Sequence, residues 1–134
     1  MVYFQWSPGL SVGDSLIDGD HQHLIDLINE LYTASDQKRD GAILEDILQR
    51  LFNYTSEHFH REEELMERIQ YPDVLNHVKQ HKKLLERVLI LQASLAEKRD
   101  YVAKETAELL RFWLTSHIHT TDKALAIAIK NAGL

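Results

Sequence analysis

The chain of 134 residues contains no cysteine, which excludes disulfide bonds, thiolate nucleophiles and cysteine-based metal sites. It also lacks an excess of basic residues: lysine and arginine number 15 against 21 aspartates and glutamates, for a formal net charge of −6. Nucleic-acid binding, which needs a basic surface, is therefore not expected. No apolar run reaches the roughly 18 residues of a membrane span, and no signal peptide is visible. We expect a cytoplasmic protein without membrane insertion.

Helix-breaking residues are equally scarce. Proline occurs twice and glycine five times, and neither falls within residues 42–71 or 73–132. Because apolar residues recur there at steps of three and four, these stretches predict amphipathic helices. Four helices are expected at about residues 18–36, 41–70, 72–97 and 101–131, with Asp18 as the first N-cap.

Four such helices joined by short loops predict an all-α fold, an up-down-up-down bundle that forms a single domain over residues 1–134. Residues 1–16 are expected to form an irregular N-terminal arm, with Trp6 as its packing anchor. At 44% hydrophobic residues, the chain can build one substantial core. A bundle alone does not indicate a function.

Histidine is the residue in unusual supply, with eight copies. Several polar residues interrupt the apolar stripes at positions that should face the core, namely His21, His58, Glu62, His77, His81 and His117. A single such histidine is more often a hydrogen-bonded core residue than a metal ligand. Six buried polar groups without partners would cost several kcal/mol, at roughly 1–3 kcal/mol each. A bound metal ion would remove that cost by using their lone pairs.

The spacing of these residues supports metal binding. His58 and Glu62, like His77 and His81, are four residues apart, so each pair shares one helical face. Imidazole and carboxylate ligands without thiolate suit iron, manganese or zinc. Five imidazoles and at least one acid are too many for one ion, so two metal ions are expected.

The other three histidines, His23, His60 and His119, each follow a candidate ligand by two residues. Two residues rotate about 200° around a helix, so these side chains are expected at the surface. The charged residues that flank Glu62 and follow it are also expected on a solvated face, namely Arg61, Glu63, Glu64 and Arg68.

Several short segments extend this pattern in a fixed order. They are Ile17-Asp18-Gly19-Asp20-His21 with Leu24, His58-Phe59-x-x-Glu62-Glu63-x-x-Met66, Tyr71-Pro72, His77-x-x-x-His81 and Trp113-Leu114-x-x-His117-Ile118-x-x-x-Asp122. From Trp6 to the end of the fourth predicted helix, the chain resembles the hemerythrin family, specifically its single-domain bacterial members. Asp20 stands where that family has an acidic or amide residue before the first ligand.

The resemblance implies a cofactor of two iron ions joined by an oxo or hydroxo bridge. It implies three histidine ligands for one iron, namely His77, His81 and His117. It implies two for the other, His21 and His58, and two bridging carboxylates, Glu62 and Asp122. The iron with two histidines is left open, and dioxygen binds there reversibly in hemerythrins.

The residues that match the family's oxygen pocket are Phe59, Trp113, Leu114 and Ile118, all of which could equally be ordinary core residues. An apolar pocket without a general acid or base favours binding over turnover, so we expect an oxygen carrier or store and not an enzyme. Two alternatives remain open: a di-iron enzyme that reduces peroxide or nitric oxide, and an iron store or donor. The sequence indicates neither an oxygen-accepting partner protein nor an oligomeric state.

One spacing does not fit a regular helix. His117 and Asp122 are five residues apart, which places them about 140° apart on an ideal α-helix. A bridging Asp122 therefore predicts a wide π-type turn between the two residues. The alternative is a site wedged between helices, reached by the two side chains from either flank.

Overall fold

The computed structural model describes residues 2–95 and 99–133. Its helices are α1 (Ser15–Asp36), α2 (Gly41–Arg68), α3 (Val74–Leu95), α4 (Arg99–His117) and α5 (Lys123–Asn131). A π-helical turn at Ile118–Asp122 joins α4 to α5. α1 packs against α2 and α4, and α3 packs against the same two helices, which gives the predicted all-α four-helix bundle.

The first helix begins earlier than predicted. Asp14 is its N-cap, and the Asp14 side chain accepts hydrogen bonds of 3.0 Å from the backbone N–H groups of Leu16 and Ile17. The expectation that Asp18 is the cap was wrong. Asp18 lies in the first turn, where its carboxylate accepts hydrogen bonds from the Ser11 hydroxyl at 2.5 Å and the Val12 N–H at 2.9 Å. Asp18 thus fastens the N-terminal arm to α1.

Phe4, more than Trp6, anchors the N-terminal arm. Phe4 is buried, whereas Trp6 only partly packs against the core. The Phe4 backbone exchanges two hydrogen bonds of 2.7 Å with the Asn29 side-chain amide. The arm also contains a short 3-10 turn at Pro8–Leu10, so it is less irregular than expected.

The remaining helix ends also shift by a few residues. α2 stops at Arg68 because Gln70 adopts a left-handed conformation with φ of 54°, and Tyr71 N–H bonds back to the Met66 carbonyl at 2.9 Å. Pro72 lies in the connecting turn before α3, not in the first helical turn. α4 starts at Arg99, within residues 98–100, which were predicted to separate the third and fourth helices. The predicted end of the third helix at residue 97 lies outside the described residues.

One core runs through the bundle, built from buried aliphatic side chains of every helix and of the arm. Ten described polar residues are also buried, and seven of them are the residues proposed from the sequence as metal ligands. None of the described helices is both long and apolar enough to cross a membrane. The buried polar residues therefore mark where the core departs from ordinary packing.

Candidate metal centre

The bundle brings the seven candidate ligands together. α1, α2, α3, α4 and the π-helical turn each contribute, and every one of the seven side chains is at most 3% exposed. Their ligand atoms form two overlapping groups, each within 4.8 Å. One group contains Glu62, His77, His81, His117 and Asp122, and the other contains His21, His58, Glu62 and Asp122. Only the two carboxylates belong to both.

Glu62 directs one oxygen to each group. Its Oε1 lies 3.2 Å from Nε2 of His77 and 3.1 Å from Nε2 of His81. Its Oε2 lies 3.3 Å from Nε2 of His58. The carboxylate therefore stands between a group with three histidines and a group with two.

Asp122 is divided in the same way. Its Oδ1 lies 3.2 Å from Nε2 of His77 and 3.1 Å from Nε2 of His117. Its Oδ2 lies 2.9 Å from Nε2 of His21. Two carboxylates that each split their oxygens between the same two histidine groups have the arrangement needed to bridge two cations.

These close approaches do not satisfy the polar atoms. Despite the short distances, several buried atoms have no partner in hydrogen-bonding geometry, among them Nε2 of His21, His81 and His117, Oε2 of Glu62 and both carboxylate oxygens of Asp122. An unpaired buried polar group costs about 1–3 kcal/mol. These named atoms converge on shared centres, and cations placed there would satisfy them. Nδ1 of His21 and of His77 also lacks a partner, but in both rings it is Nε2 that faces the cluster. The residues present therefore fit a metal cluster.

The charges of the cluster lead to the same conclusion. Burial, reinforced by the charge of Asp122, raises the pKa of Glu62 well above its usual range. Burial raises the pKa of Asp122, but the close approach of His117, His21 and His77 outweighs it, and the pKa is lowered well below its usual range. Burial disfavours the charged form of every group in the cluster. No distribution of protons alone can therefore give both carboxylates and all five imidazoles a hydrogen-bond partner.

The histidines differ among themselves. Burial lowers the pKa of His77, but its close contact with Asp122 and its hydrogen bond with Glu62 outweigh burial and raise that pKa to about 9. Burial and the charges of His77 and His117 lower the pKa of His81 to about 2. Burial is also the main cause of the lowered pKa values of His58 and His117. Neutral imidazoles with free lone pairs are the form that binds metals.

Outer contacts orient three of the imidazole rings. Nδ1 of His58 lies 2.8 Å from the Asp20 carboxylate, and Nδ1 of His81 lies 3.0 Å from the Glu63 carboxylate. Nδ1 of His117 lies 2.9 Å from the Gln80 side-chain oxygen. Each partner accepts a hydrogen bond from the N–H group at Nδ1. The ring proton therefore stays on Nδ1, and Nε2 keeps its lone pair directed at the cluster.

Sequence reasoning missed Glu63 and Gln80 as orienting residues. Glu63 and Arg61 were expected on a solvated face. Arg61 is exposed there, as predicted, and also pairs with Asp20, whereas Glu63 is only partly exposed and contacts His81. The available signal was adjacency: Asp20, Glu63 and Gln80 each neighbour a candidate ligand in the chain.

Asp20 makes more hydrogen bonds than either of the other two orienting residues. Besides His58, its carboxylate accepts hydrogen bonds from the Tyr54 hydroxyl at 2.7 Å and from Nε and Nη2 of Arg61 at 3.0 and 2.9 Å. Burial opposes the charge of Asp20, but these donors prevail and hold its pKa well below the usual range. A permanently ionised carboxylate thus stands behind His58.

The π-helical turn accounts for the five-residue spacing between His117 and Asp122. The predicted distortion between His117 and Asp122 is confirmed, since residues Ile118–Asp122 form that turn. The Thr120 hydroxyl donates to the Ser116 carbonyl at 3.0 Å, as expected of a threonine that loosens the local ladder. The turn brings Asp122 to the same side of the helix as His117.

Aromatic rings flank the group with three histidines. Phe59 stacks on His81 with ring centroids 3.7 Å apart, and Trp113 stacks on His117 at 4.1 Å. A cavity of about 10 Å³ lies beside them. It is lined by Leu24, Ile28, Leu51, Thr55, Phe59, Leu84, Leu110, Trp113 and Leu114. Ile118, the fourth residue expected in the oxygen pocket, is buried but does not line this cavity.

The three remaining histidines lie at the surface as predicted. His23, His60 and His119 are all exposed. His60 pairs with Glu64 at 3.0 Å on the outside of α2. The inward and outward histidines therefore separate as helical geometry requires.

Comparison with known proteins places this cluster in a family. The family model described as the hemerythrin HHE cation binding domain matches residues 12–128. The chain belongs to the hemerythrin family. The resemblance inferred from its motifs is confirmed, and the matched cation binding domain contains the buried cluster of histidines and carboxylates that could hold metal ions.

Relatives match over nearly the whole chain. The bacteriohemerythrin of Stenotrophomonas maltophilia (strain R551-3) is 31% identical over 97% of this chain and 84% of its own length. The myohemerythrin of Theromyzon tessulatum is 29% identical over 89% and 88%. A crystal structure of wild-type hemerythrin superimposes with a TM-score of 0.87 at 24% identity, covering 95% of this chain and 98% of that one, which supports the shared fold.

Proposed function

We propose that this hemerythrin-family protein binds dioxygen reversibly at a centre of two iron ions. The observation that carries the proposal is the division of both carboxylates between two histidine groups. One iron would be held by His77, His81 and His117, and the other by His21 and His58. Glu62 and Asp122 would span the pair, with an oxo or hydroxo bridge from solvent as the third link. Imidazole and carboxylate ligands suit iron.

The inequality of the two groups supports a binding role. When bound, two iron ions supply and take back the two electrons that reversible dioxygen binding requires. The chain offers three imidazoles to one position and only two to the other, so the second position has room for an external molecule. His58, at that position, is fixed by the ionised Asp20.

The cavity also borders the second position, because Leu24 and Thr55 in its lining lie one helical turn from His21 and His58. It favours release of the bound molecule over its reduction. Its walls are apolar apart from Thr55, and the Thr55 hydroxyl already donates to the Leu51 carbonyl at 2.7 Å. A proton donor is what turnover of dioxygen or peroxide needs, and this wall presents none that is unengaged. The aromatic and aliphatic side chains instead exclude water.

The test is a cycle of oxygenation. Protein loaded with ferrous iron under anaerobic conditions is exposed to air and then deoxygenated, while visible absorption is recorded. A band that appears with air and disappears on deoxygenation over repeated cycles is expected, together with two irons per chain by metal analysis. One iron or one zinc per chain would refute the centre. Irreversible oxidation with steady consumption of peroxide would indicate an enzyme, and ready loss of iron to a mild chelator would indicate a store.

A further inference from the structure

A cleft of about 220 Å³ leads from the surface towards the metal cluster, between the start of α1 and the second half of α2. It is lined by Leu16, Ile17, Asp20, Arg61, Glu62, Glu64, Leu65 and Arg68. It shares no residue with the apolar cavity beside Phe59 and Trp113. The two spaces therefore reach the cluster from different sides.

One residue that lines the cleft, Glu62, belongs to the cluster itself. Glu62 lines the cleft although it is only 1% exposed. Its Oε2 has no hydrogen-bond partner among the described residues. Glu62 also belongs to both groups of candidate ligands. An ion that travelled down this cleft would reach, in Glu62, a ligand from which both metal positions can be filled.

The outer part of the cleft carries a second carboxylate, which Arg61 covers. The Arg61 guanidinium is held by Asp20 through two hydrogen bonds and lies 5.4 Å from the centre of the Tyr54 ring. With Arg61 in place, two guanidinium groups nearly balance the three carboxylates of the lining. If Arg61 turns out to solvent, Arg68 is the one guanidinium left in the lining beside the carboxylates of Asp20, Glu62 and Glu64.

We propose that this cleft is the path by which a divalent metal ion reaches the cluster. Asp20 receives the ion first when Arg61 turns away, and Glu62 takes it next. Because the metal ion replaces the Arg61 guanidinium beside Asp20, the half-buried carboxylate is never left unpaired. The proposal rests on the metal-binding role of the cluster proposed above, and it is independent of dioxygen.

The first test obstructs the cleft. Leu16 lines it and is 75% exposed, so Leu16→Trp adds bulk there without disturbing the core. Full-length protein loaded with Co²⁺ is mixed with excess chelator, and the loss of Co²⁺ is followed by its visible absorption. Reuptake of Co²⁺ is measured on the stripped protein. We expect both rates to fall several-fold by the same factor, because a path alters the barrier and not the end states. The matched control is Leu75→Trp on α3, where the leucine is 85% exposed, and it should retain both rates.

The second test opens the cleft. Arg61→Ala should speed Co²⁺ uptake about five-fold, the effect of one unit charge on a divalent ion about 8 Å away in water. The acceleration should shrink as NaCl is raised, because salt screens exposed charges. Arg50→Ala is the matched control: Arg50 lies on the same helix, is ion-paired as Arg61 is (with Glu30 and Asp46 in place of Asp20) and is similarly exposed. It should leave the rate unchanged.

The outcomes separate this proposal from the function above. If the parent protein binds two irons but Leu16→Trp exchanges Co²⁺ at parental rates, the path is refuted and the metal centre stands. Equal acceleration by Arg61→Ala and Arg50→Ala would also refute it, because general loosening would then explain both. A parent protein that binds no metal would instead refute the centre itself.

Discussion

Replacing Asp20 by asparagine should weaken one metal position more than the other. The substitution keeps the shape of the side chain but removes its charge and turns one acceptor oxygen into a donor. His58 and Nε of Arg61 bond to Oδ2, whereas Tyr54 and Nη2 of Arg61 bond to Oδ1. Whichever way the amide is oriented, two of the four donors lose their acceptor.

The size of the effect follows from those bonds. A hydrogen bond to a charged group contributes about 1.5–3 kcal/mol, and the contacts with Arg61 count for less because its guanidinium is partly exposed. We therefore expect Asp20→Asn to lower the free energy of unfolding by about 2–3 kcal/mol. Loss of the carboxylate behind a metal-binding histidine should weaken metal binding 10–100-fold, roughly 1.4–2.7 kcal/mol.

Chelator competition and urea unfolding measure these two quantities. The matched variant is Glu63→Gln, which alters the carboxylate behind His81 and so the position with three histidines. Asp20→Asn should weaken the ion held by His21 and His58, and Glu63→Gln the other ion. Unchanged affinity in Asp20→Asn, or the same loss from the same position in both variants, would refute the reasoning.

Two further substitutions test the centre and its surroundings. Glu62→Ala should abolish the binding of both ions, because Glu62 faces both histidine groups. His60 is exposed, so His60→Ala should retain full metal content by elemental analysis. Retention of one ion in Glu62→Ala would exclude a bridge. Leu114→Ala should cost about 3 kcal/mol in urea unfolding, since Leu114 is buried beside the cavity, and should speed oxidation in air by admitting water. Leu114→Met, which keeps the volume, should oxidise at the parental rate, and parental oxidation in Leu114→Ala would contradict the pocket assignment.

Six of the seven candidate ligands could be predicted from the helical pattern because burial makes them conspicuous, whereas Asp122 came from the family resemblance alone. A histidine or glutamate on an apolar stripe violates the periodicity that specifies the helix, and the violation is visible without coordinates. The helices could be predicted for a similar reason, because so few breakers are present that each one marks a loop.

Other features depend on choices that local sequence leaves open. Asp14 and Asp18 are both good N-caps and stand one turn apart, so propensity cannot select between them. The arm decides, since Ser11 and Val12 bond to Asp18. The roles of Glu63 and Gln80 depend on which residues of neighbouring helices come within 3 Å, and helical periodicity carries no such information.

The π-helical turn offers a way to test whether chain geometry alone delivers Asp122 to the cluster. Five steps of about 82°, as i→i+5 bonding implies, leave Asp122 about 50° from His117. Without the exposed His119, four α-helical steps would leave it about 40° away, and the buried Leu125 would keep its direction to within about 10°. We therefore expect the variant lacking His119 to keep both ions.

Inserting an alanine after Thr120 should have the opposite effect. The extra residue turns Asp122 and all of α5 by about 100°, which removes the carboxylate from the cluster and exposes the buried face of Leu125, Ala126 and Ile129. Metal analysis and urea unfolding of the deletion and insertion variants, beside Asp122→Ala, make the comparison. If the deletion variant loses metal as completely as Asp122→Ala, the role of the π-helical turn is not to set the direction of the Asp122 side chain. The wide turn would then be required for the depth at which Asp122 meets His21, 2.9 Å away on α1.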